Sequence, residues 1–275
     1  MLRGVAALLL LPAAQATLVL PTAPPRGFNS FDLQVYRRGV YRNGTGGKGP
    51  GWNETVYRDT ARAMVSQGLL AKGFDTMVID GGWSGGQMDE FGRSIPDTTN
   101  WPSAAGGKGF GPLAEWTHSL GLKMGVWHIR GAPDYAVAAK TPVKGTASTI
   151  DQLVWQNGSC PERWCRCTWD QTYLGIDAKH PDAQAYYNSL VDLYAEVPAP
   201  LPTPDPLQLM SRRAGQWKLD FLKWDCLYDN DAGFSDEETL VVNAVRRSPR
   251  PLVLSLSPGG GMKNKDAEWI ASGER

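Results

Sequence analysis

The sequence lacks an excess of charge of either sign. Its 275 residues include 28 Lys and Arg against 28 Asp and Glu, which gives a formal net charge of zero at neutral pH. Proteins that bind nucleic acid or an anionic membrane surface carry clustered positive charge, so the composition indicates neither partner. The chain is long enough to bury a large hydrophobic core, as one domain or as two.

The sequence also lacks the glycine-rich motifs that bind nucleotides. No G-x-G-x-x-G directly follows the first predicted strand, and there is no P-loop. This argues against a dinucleotide-binding sheet. We expect neither a cofactor nor a resident metal ion.

Cysteine is scarce, and its spacing does not fit a zinc site. The four cysteines are Cys160, Cys165, Cys167 and Cys226. They include no C-x-x-C pair, and no histidine lies near the cluster of three. In an exported chain disulfides are the better interpretation, and three connectivities are open. Because only Cys226 lies outside the cluster, full pairing requires a bond from Cys226 to it.

The N-terminal apolar run is too short to span a bilayer. A positive residue, Arg3, precedes apolar residues 5–11 and an Ala-x-Ala site over residues 14–16, which together predict a signal peptide over residues 1–16. Sequons at Asn43, Asn53 and Asn157 agree with export. We therefore expect a protein that is secreted or resides in a lysosome-like compartment, with no membrane contact after cleavage.

Short apolar runs bounded by turn residues alternate with amphipathic segments. The runs predict strands buried on both faces. They cover residues 76–79, 123–127, 221–224 and 252–256, and a further first strand is expected near residues 27–31. Between them lie helical patterns. The first follows an expected Asn53 cap and has Val56, Thr60, Ala63 and Met64 on its apolar face.

Repeated strand-helix units predict an α/β fold with a parallel sheet, and acidic residues at strand ends favour a (β/α)8 TIM barrel over a doubly wound sheet. We count five of eight strands, so residues 17–275 read as a barrel domain that is incomplete on its C-terminal side. Residues 131–168 read as a long loop on the cavity side, and the proline-rich residues 198–206 as a surface excursion.

Asp225 is the strongest candidate for a catalytic residue. It follows the apolar run 221–224, and Lys223 lies two positions before it. Reacting groups of parallel barrels are mounted at the carboxyl ends of the strands. A nearby ammonium favours the ionised carboxylate that a nucleophile requires. A structural Asp-Lys pair is the alternative. His128 and Arg130, just past another strand end, are not assigned to the site, since either can satisfy a loop carbonyl or pair with a carboxylate.

Five segments carry motifs in a fixed order. They are Pro24-Pro25-Arg26-Gly27-Phe28-Asn29-Ser30-Phe31, Ile79-Asp80-Gly81-Gly82-Trp83, residues 89–103, His118-Ser119-Leu120-Gly121-Leu122-Lys123-Met124-Gly125 and Leu222-Lys223-Trp224-Asp225. They resemble the P-P-x-G-W-N-S-W, I-D-D-x-W, D-x-x-G-R…P…F-P-S, H-x-x-G-L-K-x-G and L-K-x-D motifs of family 27 glycoside hydrolases, the α-galactosidase-like (melibiase) group. The matches cover most of residues 24–258.

The resemblance implies a (β/α)8 barrel and a retaining exo-glycosidase that removes a terminal α-galactose from an oligosaccharide or glycoconjugate. It places Asp225 at the nucleophile position with Lys223 as its companion. It also implies that four further residues contact the terminal sugar or wall its pocket, namely Asp80, Trp83, Phe31 and Trp127. Homodimer formation is left open.

Three departures from the family pattern bear on function. Gly81 stands where the family has a second sugar-binding aspartate, which puts galactose specificity in doubt and makes a pentopyranose an alternative. Phe28 and Phe31 replace tryptophans. The family's acid/base follows the sixth strand, which we expect to lie beyond this sequence; Glu274 fits better as an exposed helix residue. A catalytically inactive carbohydrate-binding barrel is therefore a second hypothesis, although the Lys223 and Asp225 pair favours an enzyme.

Overall fold

The structure, a computed structural model, describes residues 23–31, 33, 52–155, 165–167, 170–195, 217–226, 236–248 and 250–257. The predicted signal peptide, the sequons at Asn43 and Asn157, Cys160, the proline-rich segment and Glu274 lie outside the described residues.

A five-stranded parallel sheet forms the centre of the fold. Its strands, in spatial order, are β1 (Gly27–Asn29), β2 (Thr76–Ile79), β3 (Lys123–Ile129), β6 (Phe221–Asp225) and β7 (Val253–Ser257). Every neighbouring pair is parallel, so all five carboxyl ends lie at one edge. Sequential parallel strands joined by helical segments are the architecture of a β/α barrel, and the predicted fold class is confirmed for this part of it.

Helices pack against the sheet, and a small antiparallel sheet lies beside its carboxyl edge. The longer helices are α1 (Glu54–Ser66), α2 (Gly111–Ser119), α5 (Ala183–Tyr194) and α6 (Asp236–Arg247). The shorter elements are α3 (Asp134–Ala138), α4 (Ile150–Leu153), β4 (Ala132–Pro133), β5 (Tyr173–Leu174) and 3₁₀ turns at Leu70–Lys72 and Pro102–Ala104. Within the described part of the chain, no helix is long and apolar enough to cross a membrane.

The N-terminus of α1 is confirmed, but the predicted apolar face is only partly right, since Met64 is buried and Val56 packs against the core whereas Ala63 is exposed. The side chain of Asn53 accepts a hydrogen bond from the Val56 N–H at 3.1 Å, as an N-cap does. Tyr57, Ala61 and Met64 are buried, whereas Ala63 is exposed. Tyr57 lies on the buried side because its ring packs between the rings of Trp52 and Trp101.

The expectation of a long loop over residues 131–168 is also wrong in its described part. This stretch contains β4, α3 and α4, and β4 pairs with β5. Three apolar side chains, Ala136, Ile150 and Leu153, are fully buried and anchor these short elements to the core. The sequence pattern missed β4, α3 and α4 because each of these elements is only two to five residues long.

Close approach of the first two strands depends on Gly27. A Cβ atom at this position would overlap the backbone carbonyl of Thr76 on β2. Only glycine therefore lets β1 pair in this register, which places Ser30 beside the carboxyl end of β2. The Ser30 hydroxyl accepts a hydrogen bond from the Asp80 N–H at 2.9 Å.

Candidate active site

Polar side chains from three adjacent strands converge at the carboxyl edge of the sheet. Trp127 on β3 lies opposite Lys223 on β6, and Ile129 lies opposite Asp225. Asp80 follows β2 directly, one position beyond the Ile79–Val126 pair. The strand register therefore brings Asp80, Trp127, Lys223 and Asp225 together from positions as far as 145 residues apart, which we call the edge cluster.

Lys223 lies between two carboxylates. Its Nζ is 2.9 Å from Asp80 Oδ2 and 3.7 Å from Asp225 Oδ2. All three side chains are largely buried, with 17% of Lys223, 5% of Asp80 and 16% of Asp225 exposed. The tighter ion pair is thus with Asp80 rather than with Asp225. One ammonium shared by two carboxylates leaves the group with one formal negative charge in excess.

Backbone and side-chain donors hold both carboxylates. Asp225 Oδ1 accepts from the N–H of Cys226 at 2.7 Å, and its Oδ2 accepts from the indole N–H of Trp127 at 2.8 Å. Asp80 Oδ1 accepts from the N–H of Gly81 at 2.9 Å. Hydrogen bonds of this kind fix the direction of a carboxylate group. The arrangement can present an oriented oxygen to an electrophilic carbon.

Two aromatic rings give the edge cluster an apolar side, since Phe31 borders it and Trp127 belongs to it. The Lys223 ammonium lies 4.8 Å from the centroid of the Phe31 ring, and 47% of Phe31 is exposed. Trp127 packs in a small cluster with Cys167, Cys226 and Tyr173. Apolar surfaces next to polar groups are the ordinary lining of a small-molecule site.

Trp83 is not brought into the edge cluster. It is 4% exposed, and its indole N–H donates to the backbone carbonyl of Trp127 at 2.9 Å. Its ring packs edge-on against Phe110 and Trp217. Its polar atom is already bonded, so the structure gives it the position of a support for Trp127. A direct sugar contact by Trp83 stays a prediction.

A disulfide lies next to the edge cluster, where it packs with Trp127. Cys167 and Cys226 are bonded, with their Cα atoms 6.0 Å apart, which confirms the predicted link from Cys226 to the cysteine cluster. Cys165 is also disulfide-bonded. The Cys167–Cys226 bond ties the residue after Asp225 to the loop beside β5, so the loop is fixed at the carboxyl edge.

Sequence reasoning missed a buried ion pair behind the site. Arg130 donates from Nε to the Cys226 carbonyl at 2.7 Å, and its Nη1 is 3.4 Å from Glu237 Oε2. Arg130 thus satisfies a loop carbonyl and also pairs with a carboxylate, the two alternatives considered from the sequence. Glu237 also accepts from the Tyr187 hydroxyl. Burial raises the pKa of Glu237, and the adjacent Arg130 opposes that rise.

The only signal for Glu237 was its place among three acidic residues in the first turn of α6. That pattern is ordinary for a solvated helix N-terminus, so it did not indicate a buried carboxylate.

His128 takes no part in the edge cluster. Neighbouring residues of a strand point to opposite faces, and the His128 Nδ1 lies 2.9 Å from the hydroxyl of Tyr194 on α5. Burial lowers the pKa of His128 to about 3, so the ring is neutral at physiological pH. Among the residues described, no three His, Cys, Asp or Glu side chains form a group that could hold a metal ion.

Comparison with known proteins points to one family. A family model described as alpha galactosidase A matches residues 48–151. An alpha-galactosidase of Cyamopsis tetragonoloba is 38% identical over 106 residues, which cover 34% of this chain and 25% of that protein. An Arabidopsis thaliana alpha-galactosidase 3 is 35% identical over 119 residues, which cover 38% of this chain and 26% of that protein. The matched region of the chain therefore spans only about a quarter of the length of these relatives.

Solved structures agree over most of the chain. A structure described as an alpha-N-acetylgalactosaminidase of Bacillus halodurans has a TM-score of 0.66 at 28% identity, covering 93% of this chain and 55% of that one. A variant of a GH27 β-L-arabinopyranosidase of Geobacillus stearothermophilus, in complex with arabinose, has a TM-score of 0.66 at 29% identity, covering 90% and 51%.

The fold, the ordered motifs and these similarities agree, and together they support a relationship to the α-galactosidase-like family 27 of glycoside hydrolases.

Proposed function

We propose that the protein is a secreted, retaining exo-glycosidase that hydrolyses the O-glycosidic bond of a terminal galactose-like sugar. The observation that carries the proposal is the state of Asp225, whose two carboxylate oxygens each accept an N–H donor at the carboxyl edge of the sheet. A binding barrel has no need of a carboxylate oriented in this way beside a lysine.

In the proposed reaction, Asp225 attacks the anomeric carbon through an oxocarbenium-like transition state while the glycosidic C–O bond breaks and the leaving oxygen takes a proton from a general acid. Water, deprotonated by the same group, then hydrolyses the covalent glycosyl-enzyme and frees Asp225. Asp80 accepts hydrogen bonds from the sugar hydroxyls, and Lys223 donates to them. Phe31 and Trp127 wall the pocket. The excess negative charge of the edge cluster stabilises the positive charge that develops on the sugar.

The general acid must be a further carboxyl group about 5–5.5 Å from the nucleophile in a retaining enzyme. Asp80 is a poor candidate because its Oδ2 already forms an ion pair with Lys223 at 2.9 Å. We infer that the acid is supplied from outside the described residues. The family resemblance implies that it follows the sixth strand of the full barrel, whereas β6 is only the fourth strand of the parallel sheet.

The substrate alternative is a pentopyranose. Gly81 provides no carboxylate for a sugar hydroxyl, and the Trp127 ring lies against it, 3.4 Å from where a Cβ would be. The similarity to a protein described as a β-L-arabinopyranosidase supports this second candidate.

The test uses the full-length protein and aryl glycosides of α-galactose, α-N-acetylgalactosamine and β-L-arabinopyranose, compared by kcat/KM. A 2-deoxy-2-fluoro glycoside of the best substrate should label the peptide that contains Asp225. Asp225→Ala should abolish both labelling and turnover, and Asp59→Ala, in an exposed pair on α1, serves as the control. Sugar binding without turnover on any substrate would support the inactive carbohydrate-binding barrel instead.

Export has its own test. We propose that residues 1–16 are removed and that the mature chain begins near Thr17. N-terminal sequencing of protein collected from the culture medium should find this start. An intact N-terminus on protein recovered from the cytosol would contradict it.

A further inference from the structure

We propose that Trp127 is a positioning residue for Asp225, and that its indole N–H rather than its apolar face is its main contribution to the site. The inference deepens the proposed function, because the reaction that it serves is the attack of Asp225 on the sugar. It assigns Trp127 a role that a wall residue does not have.

Two donors from different strands fix the carboxylate of Asp225. The Cys226 N–H, just past β6, holds Oδ1 at 2.7 Å, and the Trp127 indole on β3 holds Oδ2 at 2.8 Å. Rotation of the carboxylate about its Cβ–Cγ bond would break both hydrogen bonds. The Lys223 ammonium, at 3.7 Å from Oδ2, attracts the same oxygen but is too distant to fix its direction. Nucleophilic attack depends on orientation, so loss of one donor should slow chemistry more than binding.

The donor is itself immobilised. Trp127 is 9% exposed, and its backbone carbonyl accepts the indole N–H of Trp83 at 2.9 Å. Its side chain packs in the cluster that contains the Cys167–Cys226 disulfide. A donor held on both sides keeps its direction without reorganisation, which is what preorganised catalytic sites require.

Gly81 leaves the space that the indole occupies. A Cβ at Gly81 would lie 3.4 Å from two atoms of the Trp127 ring, in van der Waals contact. Gly81 does not have a left-handed φ, so the space and not the backbone conformation limits this position. Alanine therefore fits, while a longer side chain competes with the indole. The departure from the family motif at Gly81 and the Trp127–Asp225 hydrogen bond form one coupled feature.

The hydrogen bond can be observed without an assay of activity. In full-length protein labelled with ¹⁵N-tryptophan, the variant Trp127→Phe identifies the indole N–H resonance of Trp127. Asp225→Asn should then move that resonance upfield, because a neutral acceptor forms a weaker hydrogen bond than a carboxylate. A Trp127 resonance that does not respond to Asp225→Asn overturns the proposal.

Kinetics test the consequence. Trp127→Phe keeps most of the ring but removes a hydrogen bond to a charged group, so kcat should fall about 10- to 100-fold while KM changes much less. Equal loss of binding and rate, or a kcat within about twofold of wild type, would show that Trp127 is only a wall.

Position 81 supplies matched variants. Gly81→Ala should leave the Trp127 resonance in place, whereas Gly81→Asn, which adds volume without charge, should displace it. An unchanged resonance in Gly81→Asn refutes the coupling. If the wild-type protein hydrolyses none of the glycosides, the proposed function fails, and the response of the resonance to Asp225→Asn still decides whether the indole holds that carboxylate.

Discussion

The buried Arg130–Glu237 pair can be compared with an exposed ion pair whose charged atoms lie closer together. Arg130 Nη1 lies 3.4 Å from Glu237 Oε2, and the two side chains are 3% and 2% exposed. Lys218 and Glu115 form a closer pair, at 2.9 Å, but 31% and 62% of their side chains are exposed. The same Glu→Gln substitution can therefore be made in both settings.

We expect the buried substitution to cost far more. Removal of one partner of a buried ion pair costs about 3–5 kcal/mol, because the remaining charge is left uncompensated. Arg130 keeps hydrogen bonds to the carbonyls of Cys226 and Arg166, so Glu237→Gln should lie at the low end, about 3 kcal/mol. Glu115→Gln should cost about 0–1 kcal/mol, since solvent screens an exposed pair.

The assay is urea unfolding of the full-length protein and of each variant at pH 7, followed by tryptophan fluorescence. For a chain of this size the expected loss of about 3 kcal/mol also lowers Tm by roughly 6–12 °C. Tyr187→Phe, which removes one donor to Glu237 and the acceptor for the Gly131 N–H without changing charge, should fall between the two.

Equal destabilisation by Glu237→Gln and Glu115→Gln would refute the reasoning. It would mean that the buried pair contributes no more than a surface pair.

Three further predictions follow from the same contacts. Burial alone would raise the pKa of Asp220, but hydrogen bonds from His118 and the Met124 N–H, together with Arg250, lower it. The contribution of Asp220 to stability is therefore present above about pH 4 and is lost as the pH falls further. Asp220→Asn should make the unfolding free energy depend less on pH in that acidic range. Replacing both Cys167 and Cys226 by Ser should lower the unfolding free energy by about 4 kcal/mol, because the bond closes a loop with a sequence separation of 59 residues; a loss below about 1 kcal/mol in urea titrations would contradict this. Gly27→Ala should strongly reduce the yield of folded protein, measured by size-exclusion chromatography, since its Cβ would overlap the β2 backbone. Gly68→Ala, which has open space around it but a φ of 75°, adds only the backbone strain of a left-handed residue and should reduce the yield far less.

Much of the fold could be predicted from the sequence because strand positions depend on local patterns. The run at 76–79 is buried throughout, and the run at 221–224 has every second residue buried; both are mostly apolar and bounded by turn residues. The structure places β2 at Thr76–Ile79 and extends β6 only by Asp225. The link from Cys226 to the cysteine cluster could also be predicted, because Cys226 is the only one of the four cysteines outside the cluster and full pairing requires such a bond.

The contacts of the site were decided by the tertiary structure. The sequence placed Lys223 beside Asp225, but the strand register brings its ammonium closer to Asp80 on another strand. The hydrogen bond from Trp127 to Asp225 spans 98 positions, and Arg130 meets Glu237 across 107. Local periodicity specifies which residues lie on a strand and which face they take. Which atoms of distant segments come within hydrogen-bonding distance depends on how neighbouring strands and helices align, and that alignment is set by packing of the whole core.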